Sequence, residues 1–520
     1  MMDHGGEALA RAVEAAYLQG AEDYYLEPMV RQDGQGQPVG LIRDGDSVIF
    51  CCRRGEREIE LTEMFTDPAF AKADRRFLPH VSFAILTLYH DRFHHLPVAF
   101  APETVEQTLA QAVSEAGKTQ LHCAESEKFA HVTFFLNGGR NAPFPGEEDI
   151  CIPSPKGVPF EEVPALSLDA VADTVIARGE EFDFTVVNFA NGDVIGHTAN
   201  KESKLRAAAA VSRALERVVR FAEEKKMAVF ITADHGNIET LFTAGGKPHV
   251  AHTDNRVAFL ALDGGKAVTL EPTGALCDVA PTVLQALGIE RPDGMNGRSL
   301  APDHDFGPNR RAMLIILDGW GMAAQDENNA VFLADTPYWD ELIGQNPHAL
   351  LRASGDAVGL CAGKAGNSEA GHMNIGAGRV VAQDDVRLDA AIREGTFAKN
   401  PVLAGQIGRA LECGTPLHLI AYLTHASSHG SIAYPLAILK EAKAMGLKRA
   451  FLHVIFDGRS TPPGSAPALL RELDKELETI GLGEIADGVG RGIVLDRDGN
   501  YEKVKRAYDA MVEGTGLRYT

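Results

Sequence analysis

"RRAMLIILDGWG", residues 310–321, is the stretch whose reading decides the fold. A short apolar run, Met313 to Leu317, ends at once in Asp318-Gly319, the pattern of a buried strand that delivers a carboxylate to a loop at its C-terminal edge. It reads like the first strand of an α/β domain, yet about three-fifths of the chain precedes it. The residues before it, "SLAPDHDFGPNR", are polar and carry Pro and Gly in the manner of a linker. A beginning therefore sits in the middle of the chain.

Outward from this stretch, strand and helix patterns alternate. Upstream, "LDAVADTVIARG" predicts a helix, "FDFTVVNFAN" a strand entering a polar loop, and "SKLRAAAAVSRALERVVRFAEEKK" a long amphipathic helix. "MAVFITADHGN" and "RVAFLAL" predict strands, and "CDVAPTVLQALG" a helix closed by Gly288. Downstream, "TPYWDELIGQ" predicts a helix with Thr336 as cap and Pro337 in its first turn. "PLHLIAYL" and "RAFLHVIFDG" predict strands separated by the helix "YPLAILKEAKAMGL". Such alternation implies an α/β chain of two domains, with mainly parallel sheets covered by helices on both faces. No internal repeat, coiled-coil heptad run or low-complexity tract interrupts it.

With 520 residues, 45% of them hydrophobic, the chain can fill real cores. A formal net charge of -22 argues against nucleic acid or an acidic membrane as partner, because such surfaces demand a positive field. An anionic small substrate then requires a local cluster of Arg and Lys. Seven scattered cysteines with no C-x-x-C pair read as reduced thiols in a cytoplasmic protein. The N-terminus lacks the basic region and apolar core of a signal peptide, and no apolar run approaches a membrane span.

Functional groups of a doubly wound sheet gather beyond the C-terminal ends of its strands. Three loops have that position: "NGDVIGHT", "ADHGN" and "DGWG". Asp193 and His197 are one helical turn apart, Asp234 and His235 are adjacent, and "HVAHT" adds His249 and His252. Any one of these histidines alone is more readily a hydrogen-bonded loop or core residue. Together, mixed carboxylate and imidazole suit Mn, Zn or Fe better than an all-oxygen Mg or Ca site, and they suffice for a two-metal clamp on a phosphoryl group. "AGKAGNSEAGHMNIGAGR", residues 362–379, lets backbone approach an anion and offers Ser368 as nucleophile or ligand. It lacks the Walker spacing, and by composition alone a glycine-rich turn with a capping serine is the better reading.

"LIILDGWG", "GNSEAGHMNIGAGRV", "ESEKFAHVTFFLNGG", "NFANGDVIGHT", "ITADHGN" and "AHTDN" together resemble the signature segments of the cofactor-independent phosphoglycerate mutases of the alkaline phosphatase superfamily. The order differs. In that family the segment like "LIILDGWG" comes first and the one like "DGMNGRSL" last, whereas here Asp293 to Leu300 precede Met313. The chain thus resembles a circular permutant. The resemblance implies an alkaline-phosphatase-like doubly wound domain over 103–383, with a linker at 301–311, and a smaller α/β transferase domain split between 1–102 and 384–520.

By this resemblance Asp318, Ser368, Asp234 and His235 hold one divalent metal, and Asp193, His197 and His252 hold a second. Mn2+ is the first choice, with Zn2+, Co2+ or Mg2+ as alternatives. Ser368 is the implied nucleophile and Lys128 neutralises phosphate oxygens. Arg54, Arg57, Arg459, Arg491, Arg497 and His429 match the substrate-binding residues, and Ser460 stands where the family usually has an acid that contacts the glycerate hydroxyl. The implied activity is interconversion of 3- and 2-phosphoglycerate through a phosphoserine, in glycolysis and gluconeogenesis, with closure of the two domains over a small anionic substrate by a monomeric protein. Other departures are "THASSHGS" in place of S-D-G-G-V-H-S-H, Cys52 to Arg57 in place of N-F-R-P-D-R, and Gly492 and Ile493 in place of two tyrosines. These keep open a metal-dependent phosphatase, or a mutase of another phosphorylated hydroxy acid or sugar. A non-catalytic relic used as a binding module is the third class, and all seven metal positions being filled speaks against it.

Overall fold

The structure is a computed structural model that describes residues 4–53, 57–102, 104–264, 266–308, 310–425, 427 and 429–520. The chain divides into two compact units, Glu103–Val386 and a second formed by Met1–Pro102 together with Arg387–Thr520.

The first of these is organised around the stretch quoted above. All six residues of Ala312–Leu317 are buried, as a strand covered on both faces must be. It pairs in parallel with Phe184–Phe189 on one side and Ala228–Thr232 on the other, Ala312 lying opposite Phe184 and Ala228. Across the sheet the order is Thr273–Ala275, Ala349–Arg352, Val257–Asp263, Ala228–Thr232, Ala312–Leu317, Phe184–Phe189, Gln120–Glu125, Glu147–Ile152. Three central parallel strands bring the residues just past their ends, Asp193, Asp234 and Asp318, to one edge. Truncating Leu314 to Ala in this packed layer costs about 2–5 kcal/mol.

One strand runs against the rest. Val257–Asp263 is antiparallel to Ala228–Thr232, with Ile231 opposite Leu260. A parallel return needs a crossover, usually a helix, and no helix separates these two strands. The N-terminal end of Val257–Asp263 therefore lies at the edge where its neighbours end, and His252 precedes it there.

Helices cover the sheet by the 3.6-residue pattern. Lys201–Glu224 buries Ala207, Val211, Leu215 and Val218 along one face, and its Asn200 side chain accepts from Ser203 N at 3.1 Å. Gly288 ends Val279–Leu287 in the left-handed region at φ 69°. Pro337 starts Pro337–Gln345 and Thr336 holds the cap position, but its side chain makes no capping bond: the Thr336 hydroxyl donates to Val331 O at 3.2 Å. An oxygen held against a carbonyl in the preceding turn is not presented to the amides of the next helix.

In the second unit strands from both parts of the sequence interleave. Ser47–Phe50 lies between Leu417–Leu423 and Ser82–Thr87, parallel to both. Ala450–Phe456 and Glu484–Gly490 continue the sheet, and Met29–Arg31 joins it antiparallel to the latter. Alternate residues feed opposite cores: Leu417, Leu419, Ala421 and Leu423 pack on one face, Ile420 and Tyr422 on the other. Gly6–Tyr17 and Ala466–Ile480 are tied by Arg471, which bonds Glu7 at 2.8 Å and Glu14 at 2.9 Å. Such exposed pairs contribute little, because water and salt screen them. All seven cysteines are unpaired thiols. Among the described residues no helix is long and apolar enough to cross a membrane.

Candidate metal centre

Each group at the sheet edge arrives by a local rule. Asp318 follows Ala312–Leu317, and Asp234 and His235 follow Ala228–Thr232. Asp193 sits on the short helix Asn191–Gly196, with His197 one turn later as its C-cap. Ser368 is the first residue of Ser368–Ala377, whose cap is Asn367, its side chain accepting from Ala370 N at 2.8 Å. Ser368 itself is thus not spent on capping. Two glycines permit the convergence. A Cβ on Gly319, at φ 70°, would lie 2.6 Å from Asp193 N, and one on Gly371 would lie 2.5 Å from Asp234 O.

Around Ser368 Oγ three groups converge. Lys128 Nζ lies 2.6 Å away and donates as well to Asp193 Oδ2 at 2.6 Å and Asp318 Oδ1 at 2.7 Å. These three bonds use all the protons of the ammonium. The hydroxyl faces Asp318 Oδ1 at 3.1 Å and His235 Nε2 at 2.9 Å. His235 Nδ1 is bonded to Gly236 O at 3.1 Å, so its Nε2 presents a lone pair. Asp234 Oδ2 accepts no well-formed hydrogen bond, since the nearby His372 Nδ1, 3.2 Å away, also faces Ser368 O at 2.9 Å. An orphaned buried carboxylate oxygen beside an imidazole lone pair fits a cation ligand set.

Beside this lies a second convergence. His252 Nε2 is 3.0 Å from both Asp193 Oδ1 and His197 Nε2, and His197 Nε2 is 3.2 Å from Asp193 Oδ1. The Nδ1 atoms are held by backbone carbonyls, His197 by Val250 O at 2.9 Å and His252 by Gly366 O at 2.8 Å. Both Nε2 atoms therefore turn lone pairs toward each other and toward a carboxylate, an arrangement that repels unless a proton or metal cation lies among them. Within these two convergences, Asp193, His235 and His252 form one set of mutually close ligand atoms, and Asp234, His235 and Asp318 another.

The electrostatics point the same way. Three buried carboxylates face a single ammonium. Burial works against the Lys128 charge, but Asp318, Asp193 and Asp234 outweigh it and hold the ammonium above the ordinary amine range. Burial opposes the ionised form of Asp193 too, and Lys128 with the two histidines holds its carboxyl well below the usual range. Asp318 goes the other way: burial and the adjacent Asp234 raise it. The pocket carries excess negative charge, which a cation would relieve.

His249 does not join. Its backbone carbonyl accepts from Lys204 Nζ at 2.7 Å, which ties down a loop rather than placing the ring in the cluster. In the other unit, His429, Arg459, Ser460, Arg491 and Arg497 follow the C-terminal ends of the parallel strands Leu417–Leu423, Ala450–Phe456 and Glu484–Gly490. Arg491 is buried and bonds Asp457 Oδ1 at 2.6 Å, while Arg459, Ser460 and Arg497 are exposed. Arg57 Nη1 donates to Leu495 O at 3.0 Å. Arg54 lies outside the described residues.

Four contributors escaped the sequence reading. Asn188 Nδ2 bonds Asp318 Oδ2 at 2.7 Å and His372 Nε2 at 3.0 Å, which fixes the His372 tautomer with its proton on Nδ1. Asn237 Nδ2 bonds Asp193 Oδ1 at 2.9 Å. Glu58, fully buried, accepts from His429 Nδ1 at 3.0 Å. The one signal in the sequence is the i, i+4 spacing of Ser368 and His372.

Residues 39–291 match the family model described as the Metalloenzyme superfamily, and residues 388–520 match the model of the BPG-independent PGAM N-terminus. A 2,3-bisphosphoglycerate-independent phosphoglycerate mutase of Moorella thermoacetica is 40% identical over 301 residues, covering 57% of this chain and 58% of the relative. The protein of the same name from Nitratidesulfovibrio vulgaris is 41% identical over 293 residues, covering 56% and 57%. The chain spans a little over half the length of these curated relatives. A Leishmania mexicana phosphoglycerate mutase, solved at low cobalt concentration, aligns at 28% identity over 52% of each chain with a TM-score of 0.41. The Metalloenzyme match and the ligand sets support an α/β, alkaline-phosphatase-like fold that uses divalent metal.

Proposed function

We propose that the chain is a 2,3-bisphosphoglycerate-independent phosphoglycerate mutase in circularly permuted order, acting with two divalent ions, Mn2+ by preference. The observation that carries the reading is the convergence of Lys128, Asp318 and His235 on Ser368 Oγ. The permuted order is supported by the match of an N-terminal family segment at residues 388–520, beyond the metalloenzyme match at 39–291.

Ser368 attacks phosphorus of 3-phosphoglycerate: the Ser368 Oγ–P bond forms, the bond from P to the 3-oxygen breaks, and that oxygen takes a proton. The 2-hydroxyl then attacks the phosphoserine, restoring the Ser368 hydroxyl and leaving 2-phosphoglycerate. Asp318 and His235 face the hydroxyl proton that must leave, and Lys128 is placed to neutralise phosphoryl oxygens as charge develops. Asp318, Ser368, Asp234 and His235 would hold one divalent ion and Asp193, His197 and His252 a second, and these would supply Lewis acidity at the nucleophile and the phosphoryl group. Arg54, Arg57, Arg459, Arg491 and Arg497 are assigned to the substrate's carboxylate and phosphate, which suit the planar guanidinium fork.

Ser460 cannot act as a carboxylate base. Glu58 offers a compensation: by accepting from Nδ1 it orients the His429 ring and fixes the tautomer whose Nε2 can take the glycerate hydroxyl proton. The protein is assigned to the cytoplasm as a monomer.

The test follows 2-phosphoglycerate and inorganic phosphate together during incubation with 3-phosphoglycerate and Mn2+. Accumulation of 2-phosphoglycerate supports the mutase. Release of phosphate as fast as substrate disappears, without 2-phosphoglycerate, would replace it by the metal-dependent phosphatase that Ser460 leaves open.

A further inference from the structure

The chain carries 72 acidic against 50 basic residues, so a cluster of unpaired arginines runs against its whole charge balance. Such a cluster lines a cavity of about 370 Å³ in the unit Glu103–Val386, away from the ligand sets described above. Arg256, Arg298 and Arg352 contribute to its wall, with Thr273, Asn296 and Asp278.

The register of the sheet explains why Arg256 and Arg352 are neighbours. Leu351 pairs with Val257 across antiparallel strands, so Arg352, one residue on, lies opposite Arg256, one residue back. Like charges directly opposite each other destabilise a sheet. Arg298 is brought to them by its own backbone, whose N–H donates to Asp278 Oδ1 at 2.8 Å. Asp278 is the one acid on the wall, and it is a frame more than a counter-ion: its other oxygen, Oδ2, accepts from Ala275 N at 2.8 Å. Among the described residues none of the three guanidinium groups forms an ion pair or a side-chain hydrogen bond.

We infer that this cavity is a binding site for a small organic molecule bearing two anionic groups, at least one of them a phosphate. Three cations against one acid favour a dianion over a single charge, and the volume is that of a small-metabolite pocket and too small for a macromolecule. The polar wall, with Thr273 and Asn296 as hydrogen-bonding groups, favours a hydroxylated backbone between the two charges. Nothing in the inference depends on the reaction assigned to Ser368.

The metal-loaded full chain is titrated with mannitol 1,6-bisphosphate by calorimetry at 0.1 M salt, in the Ser368→Ala background so that no turnover contributes heat. Binding is expected in that background, with mannitol itself giving none. Adding Arg256→Ala and Arg352→Ala is expected to weaken it at least tenfold with the melting temperature unchanged, while Arg256→Lys with Arg352→Lys retains part of it. If the doubly truncated protein melts early, the same criterion is applied to Arg298→Ala with a threefold threshold. Absence of binding, or a loss of affinity below these thresholds, overturns the site and leaves the assignment of Ser368 untouched.

Discussion

Lys128 Nζ stands 2.6 Å from Ser368 Oγ, and one nitrogen thereby joins the nucleophile to two carboxylates 65 and 190 residues away in sequence. Among the described residues the ammonium is the sole lysine or arginine group in contact with Asp193 and Asp318. Its removal should act on chemistry and on stability separately. Lys128→Met is expected to lower kcat by about 10²–10³, the usual cost of losing one preorganised charge stabiliser. Without metal it should also lower the melting temperature sharply, because buried carboxylates are left facing one another. Excess Mn2+ should recover most of that stability and little of the rate. Equal recovery of both would show that Lys128 only balances charge.

Ser368→Ala should abolish formation of 2-phosphoglycerate and of phosphoserine. The protein should remain folded, because Asn367, not Ser368, caps the helix. Mass spectrometry of acid-quenched protein incubated with 3-phosphoglycerate checks the covalent step directly. Phosphate on any other residue at comparable yield would reassign the nucleophile.

The second ligand group predicts a stoichiometry. His197 and His252 approach Asp193 but not Ser368, so His252→Ala should reduce bound Mn2+ from about two per chain to about one, with at least a hundredfold loss of activity. Chelation should remove both ions and all activity, and added Mn2+ should restore them. Elemental analysis of the dialysed variant reads the count. Two tightly held ions in His252→Ala would sink the assignment.

Glu58 and His429 give a test of the other unit. Glu58→Gln keeps the shape and an acceptor for His429 Nδ1 but replaces the carboxylate that orients the ring. Mutase kcat should fall about ten- to a hundredfold. Hydrolysis of p-nitrophenyl phosphate and metal content should stay as in the parent protein. A parallel fall in both activities would assign Glu58 to folding.

What was legible in the sequence was local. The buried run before Asp318, the polar loop after Phe184–Phe189 and the Asp-His pair after Ala228–Thr232 are all announced by periodicity that breaks at a strand end. What was illegible rests on partners distant in the chain. Glu58 meets His429 across 371 residues, and Asn188 meets Asp318 across 130. No spacing rule reaches that far. The direction of Val257–Asp263 was hidden for a related reason: a strand's composition does not encode which way its neighbour runs. Thr336 sits at the cap position as read, but its hydroxyl is turned to a carbonyl instead of the helix amides.

A chain of buried ionisable groups crosses the sheet of the second unit and predicts its response to acid. His453 Nδ1 is 2.6 Å from Asp487 Oδ2, His418 Nδ1 is 3.0 Å from His453 Nε2, and His418 Nε2 is 3.2 Å from Asp46 Oδ2. Burial lowers His418 from 6.5 to about 4, with His453 adding to the effect and Asp46 and Asp487 opposing it. The folded ring therefore stays neutral where the unfolded one takes up a proton. Between pH 4 and 6.5 the unfolded state binds more protons, so stability is full above about pH 6.5 and is lost as pH falls toward 4, by roughly 3 kcal/mol at most. Urea unfolding of the full chain at pH 7 and pH 5 should show the loss, and His418→Gln, which cannot titrate, should reduce it. Carbon-13 labelling of the histidine rings reads the group itself: the His418 resonance should hold its neutral position down to pH 5. A midpoint near 6.5 would mean that the chain from Asp46 to Asp487 accepts a proton without cost, and the acid sensitivity of this unit would have to come from elsewhere.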